Sequence, residues 1–185
     1  MNENYIKIES KSRIENIAAI RVGITSFLST LNIHFDELMD IKTALSEAVT
    51  NAIDHGYEED NQDGKIIIEA YIYDYEKIKI KIVDFGKGIE DVSLAMMPAY
   101  TSKPESEHAG MGFTIMESFM DEVIIDSKIN EGTTITLTKI IRKKNCKVRI
   151  LLKILEKRGG GYQPFFFVFL FKSTLFLNLF IYNDN

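Results

Sequence analysis

Three polar residues on one stretch of chain offer the first chemistry. Glu47, Asn51 and His55 stand four apart within LSEAVTNAIDHGY, residues 45–57. Four residues is just over one helical turn, so a helix would line all three along one face. An Asn carbonyl oxygen is a hard ligand that suits Mg2+, and a neighbouring Glu can serve as a general base. Taken by itself, the arrangement reads first as a solvated polar face.

Two glycine-bearing stretches add to it. DFGKGI, residues 84–89, sets Asp84 before Gly86 and Gly88. Glycines spaced in this way let a backbone turn sharply and come close to a ligand. A carboxylate just before them can accept a hydrogen bond from an exocyclic amine, although a plain turn fits the motif as well. Further on, Gly110-Met111-Gly112 opens a helical pattern. A helix start there would aim backbone N–H groups and the positive end of the helix dipole at phosphate oxygens. Between the two lies PAYTSKPESEHAG, residues 98–110, an irregular polar stretch of lid length. Thr101, Ser102, Lys103 and His108 in it could reach a phosphate, or simply be loop residues.

The surrounding pattern supplies the elements that must position these residues. Ile41, Leu45, Ala48, Val49, Ala52 and Ile53 repeat at three and four, so a helix is expected from near Asp36, its capping residue, to near Gly56. An earlier helix, capped by Ser10 or Ser12, is expected to run to about Leu31. Its expected apolar stripe is Ile14, Ile17, Ala18, Val22, Phe27, Leu28 and Leu31, with Arg21 off the centre. Strands are expected at Tyr5–Glu9, Lys65–Tyr73, Lys77–Asp84, Glu122–Ile129 and Thr133–Ile141. Asp74-Tyr75-Glu76 and Asn130-Glu131-Gly132 would turn the two hairpins. The order predicts an α+β fold: a two-layer sandwich, mainly antiparallel sheet with helices on one face.

Composition bounds the function. The 185 residues are 45% hydrophobic and 26% charged, as in an ordinary soluble protein. A single cysteine, Cys146, excludes an internal disulfide framework and suits a reducing cytoplasm. Residues 1–30 hold no apolar run of the kind that marks a secretory leader, so none is expected. Residues 1–140 carry 13 Lys and Arg against 25 Asp and Glu, while residues 141–185 carry 9 against 2. An acidic main part argues against direct nucleic-acid binding and leaves proteins, small ligands or Mg2+-bound nucleotides. The change of sign places a boundary between a domain over residues 1–141 and a tail over 142–185. That tail is basic and then, over Phe165–Tyr182, Phe-rich. An appended read-through sequence, a membrane-associating segment and an extra packed element all fit it.

Taken together, LSEAVTNAIDHGY, DFGKGI and HAGMGFTIMESFMDEV resemble the anti-sigma F factor family of spore-forming bacteria. These are serine kinases among the ATPases shared with histidine kinases and gyrase. The resemblance covers about residues 1–141 and implies the Bergerat-type ATP-binding fold. It implies that Asn51 coordinates Mg2+ and that Asp84 binds the adenine amino group beside Gly86 and Gly88. Gly110 and Gly112, with the lid residues Thr101, Lys103 and His108, would hold the phosphates. Thr134 would bridge to adenine through water, and Glu47 would be the general base for an incoming serine. The expected partners are a sporulation sigma factor, an anti-anti-sigma protein that is phosphorylated, and a second copy in a homodimer. Arg21 matches a first-helix arginine that meets both protein partners. His108 departs from the family, whose lid has an arginine there near the terminal phosphate; Lys103 could compensate. A sigma-binding module gated by ATP, with feeble transfer, and a stress-response anti-sigma kinase are the alternatives.

Overall fold

The computed structural model describes residues 3–57, 64–97 and 110–141. The chain divides into two units, residues 1–142 and 143–185. The second unit, with Cys146 and the Phe-rich segment, lies outside the described residues. So do the lid residues Thr101, Lys103 and His108.

Five strands form one sheet, in the order β1-β2-β3-β5-β4, every neighbouring pair antiparallel. They are β1 (Glu3–Lys11), β2 (Lys65–Tyr73), β3 (Lys77–Asp84), β4 (Glu122–Lys128) and β5 (Gly132–Ile140). Strand alternation decides which face is covered. Ile66, Ile68, Ala70 and Ile72 of β2, Ile78, Ile80 and Ile82 of β3, and Ile135 and Leu137 of β5 share one face and are buried. Helices α1 (Ile17–Leu28), α2 (Phe35–Asp54) and α4 (Gly112–Phe119) pack there and join the same core. A one-turn helix, α3 (Val92–Ala95), is capped by Asp91, whose Oδ1 accepts from the Leu94 N–H at 2.9 Å. Among the described residues nothing covers the opposite face, which carries Tyr5, Lys7, Glu69, Tyr71, Lys79 and Lys81; the Tyr5 and Tyr71 rings stack 5.8 Å apart. This is the expected α+β two-layer architecture.

Both hairpins lie where the turn residues predict. Asp74 and Tyr75 adopt positive φ (49° and 58°) without a glycine, and the second hairpin turns at Asn130, φ 61°. Three details differ from expectation. First, β1 runs on to Lys11, because Ser10 and Lys11 still pair with Ile66 and Lys65. Neither Ser10 nor Ser12 then caps α1; a 3-10 turn at Ile14–Asn16 intervenes. Second, Ile20, Ile24 and Leu28 are the buried stripe of α1, while Ile14 and Val22 are each 66% exposed. The helix is apolar nearly all round, so spacing alone did not select the face. Third, α2 starts at Phe35 with His34 at the N-cap and no side-chain capping bond, leaving Asp36 in the first turn.

The one-sided burial has a direct test. Ile68→Ala, at a fully buried position, is expected to cost about 2–5 kcal/mol in urea unfolding. Ile124→Ser, on the open face and 49% exposed, is expected to stay within about 0.5 kcal/mol.

Candidate functional site

Asp84 is the last residue of β3 and lies on the helix side of the sheet, 4% exposed. Its Oδ1 accepts two backbone N–H groups, from Gly86 at 2.9 Å and from Thr133 at 3.2 Å. Both bonds fall on one oxygen and leave Oδ2 outside this pair. Burial pushes the carboxyl above its ordinary range, and the two N–H bonds pull it partly back.

The glycine loop after Asp84 is gripped on both sides by backbone. On one side the chain just past α2 touches it: the Lys87 N–H donates to the Gly56 carbonyl at 2.9 Å. A Cβ on Gly86 would lie 1.8 Å from that same carbonyl oxygen, so only glycine fits. On the other side the Asn130 N–H donates to the Lys87 carbonyl at 2.8 Å, and Gly88, at φ +72°, lies against the Lys128 carbonyl. Ser127 completes this side. Its Oγ accepts from the Ile89 N–H at 2.8 Å and shares a bond with Thr133 Oγ1 at 2.9 Å.

The second cluster forms where α2 meets the start of α4. Glu47 and Asn51 are half-buried on α2, and Gly112 is the first residue of α4. A Cβ on Gly112 would sit 3.2 Å from Asn51 Nδ2 and 3.4 Å from both Asn51 Oδ1 and Glu47 Oε2. The carboxylate and the amide therefore converge on the N-terminus of α4. Gly110 takes φ +80° just before it, and Met111 at the N-cap makes no side-chain capping bond. The first-turn N–H groups have no acceptor within the helix and suit an anion. Among the described residues no group of three or more His, Cys, Asp or Glu converges. An oxygen ligand from Asn51 beside Glu47 fits an ion that takes its other ligands from phosphates and water, as Mg2+ does.

Of the residues singled out from sequence, the structure brings Glu47, Asn51 and Gly112 together in the C-terminal half of α2. It brings Asp84 and Gly86 against Gly56, just past the end of the same helix, with Gly88 beside them. His55 follows the helix as its C-cap. Arg21 is on α1, apart from both clusters, half-buried, with its Nε lacking a hydrogen-bond partner among the described residues. Thr134 is placed differently from expectation. It pairs with Val83 and Asp126, which puts it on the open face, whereas Thr133 stands on the side of Asp84 and bonds to it. Two adjacent threonines left the choice to strand parity, and parity depends on the β3–β5 register, a pairing distant in sequence. Gly56 was read only as a helix end, and Tyr57 and Ser127 were not singled out, because their contacts reach segments distant in sequence that no local motif announces.

The histidine kinase-like ATPase domain matches residues 11–139. Over 140 residues the chain is 49% identical to the anti-sigma F factor of Clostridium kluyveri (strain ATCC 8527), spanning 76% of this chain and 96% of that protein. Over 142 residues it is 50% identical to the anti-sigma F factor of Bacillus velezensis, spanning 77% and 94%. The structure of the RsbU and RsbW domains of a Mycobacterium tuberculosis protein superposes with a TM-score of 0.55 at 23% identity. That match covers 75% of this chain and 33% of the other, and it concerns the fold.

The buried carboxylate gives a pH-dependent prediction. A raised carboxyl value in the folded state means that ionised Asp84 costs stability. That cost grows as pH rises through the raised value and is absent below the unfolded value. Asp84→Asn is expected to melt higher than the parent at about pH 7, with the margin narrowing as pH falls toward about 4. Thermal melts of both proteins across that range check it; a margin that widens on acidification would contradict it.

Proposed function

This chain belongs to the anti-sigma F factor family, built on a histidine kinase-like ATPase domain, and we propose that it inhibits a sporulation sigma factor while using ATP and Mg2+ to phosphorylate an anti-anti-sigma protein on serine. The observation that carries the kinase part is the meeting of Glu47 Oε2 and the Asn51 amide at Gly112. It sets a base, an oxygen ligand and unpaired helix N–H groups at one point. Asp84, beside Gly56 just past the C-terminus of α2, supports adenine recognition there.

In this reading the Asp84 carboxylate accepts the adenine amino group. The N–H groups of Gly112 and its neighbours hold phosphate oxygens against the positive end of α4. Asn51 would hold Mg2+, which when bound neutralises phosphate charge. The partner serine hydroxyl attacks the terminal phosphorus, the new O–P bond forms as the bond to the β-phosphate oxygen breaks, and ADP leaves. Glu47 takes the hydroxyl proton. Phosphorylation would inactivate the antagonist, so the ratio of ATP to unmodified antagonist would set how much sigma factor is held. Arg21, half-buried on α1, is the candidate contact to both proteins. The protein would act in the cytoplasm as a homodimer. Among the described residues no helix is long and apolar enough to cross a membrane.

His108 in place of an arginine favours a second reading, an ATP-gated sigma-binding module with feeble transfer. One assay separates the two. The full chain is incubated with γ-labelled ATP and the cognate anti-anti-sigma protein, beside Glu47→Gln and His108→Arg. Label on a partner serine is expected, falling about a hundredfold or more in Glu47→Gln. Tight ATP binding without label would leave the binding module; label restored by His108→Arg would assign the loss to the lid.

A further inference from the structure

Tyr57 sits three residues past the end of α2, and its hydroxyl makes three backbone hydrogen bonds. It accepts from the Phe85 N–H at 2.9 Å and from the Lys65 N–H at 3.2 Å, and it donates to the Lys65 carbonyl. Its ring lies flat enough against Gly64 that a Cβ there would be 3.0 Å from ring carbons. The hydroxyl therefore joins three places. It fixes the residue immediately after Asp84, the first residue of β2, and the chain leaving α2. Nothing in the kinase reading uses this residue, yet its bond to Phe85 is adjacent to the carboxylate that reads the base.

We propose that Tyr57 is a positioning residue for adenine recognition, its hydroxyl holding the Asp84–Phe85 backbone so that Asp84 Oδ2 faces the exocyclic amine. The proposal rests on the ATP reading of Asp84. The geometry is short of slack. Asp84 Oδ1 is already held by Gly86 and Thr133, so the orientation of Oδ2 follows the backbone at Asp84 and Phe85. On the strand side that backbone is fixed by β3 pairing, which ends at Asp84. Beyond the strand, the Tyr57 hydroxyl is the next anchor. Without it the Phe85 N–H loses its acceptor, and the carboxylate can rotate out of line with its ligand.

The test is base discrimination rather than stability. Affinity of the full chain is measured by calorimetry for ATP and for purine riboside triphosphate, which lacks the exocyclic amine. The proteins are the parent, Tyr57→Phe, Asp84→Asn and the double variant. Tyr57→Phe keeps the ring on Gly64 and removes only the hydroxyl. It is expected to weaken ATP by about fivefold, the worth of one ordinary hydrogen bond, and to leave the amine-free nucleotide unchanged. In the Asp84→Asn background it is expected to add nothing to that preference. Equal weakening of both nucleotides, no weakening of either, or loss of the fold in thermal melts would overturn the proposal and leave Tyr57 a purely structural latch. If Asp84→Asn itself preserved the preference for ATP, the reading of Asp84 would fall first, and the positioning role with it.

Discussion

Backbone meets backbone around Asp84, and the rest of the site depends on that contact. The Gly56 carbonyl, the Lys128 carbonyl and the Asp84 carbonyl each lie where a side chain would have to go. Cβ atoms on Gly86, Gly88 and Gly132 would come within 1.8 Å, 2.2 Å and 2.2 Å of them. Three segments far apart in sequence, the end of α2, the loop after β3 and the β4–β5 turn, therefore close on one point with no side chain between them. Such packing is intolerant: one methyl group would push the segments apart by more than an ångström. The result is a carboxylate whose direction is set by main chain, the least adaptable part of the protein.

That arrangement opposes stability to function at one residue. A carboxylate 4% exposed is held by two N–H groups, yet burial still dominates and raises its value. Hydrophobic packing elsewhere must offset this. It does so through a core of Ile, Leu, Val and Ala in which β2 and β3 contribute seven fully or nearly fully buried residues. The strands are ordinary, alternating and long, whereas the buried carboxylate Asp84 and the close-packed glycines lie at their ends. This division is the usual one between scaffold and site.

The same division explains what could be read from sequence. Hairpins and the central helix were legible because period-2 and period-3.6 patterns are local: β2 and β3 begin and end at the residues expected. The buried face of helix α1 was read only in part: Leu28 and Leu31 are buried as expected, but Ile20 and Ile24 were passed over and Val22 is exposed, because Ile, Val and Ala surround the helix and blur the phase. Asp84, Gly86 and Gly88 were legible as a motif at a strand end, although what demands each glycine, the Gly56 and Lys128 carbonyls, lies far away in sequence. Thr133 was not, because its side of the sheet depends on pairing with β3, 49 residues earlier. Tyr57 was hidden for the same reason: its acceptor role toward Phe85 spans 28 residues.

Helix α2 is what turns two local motifs into one site. Its buried stripe, Ile41 through Ile53, anchors it on the sheet along its length. Glu47 and Asn51 then face Gly112, and less than one turn after Asn51 the helix ends and the chain reaches Gly56, beside Asp84. Along the helix the two clusters are therefore separated by about one turn, ~5 Å from Asn51 to the helix end. A helix held by seven buried side chains does not stretch. A nucleotide bound by its base at Asp84 would have its phosphates placed by this spacing. The polar face of α2, unremarkable alone, acquires meaning because Gly112 approaches it directly and Gly86 packs on the Gly56 carbonyl just past its end.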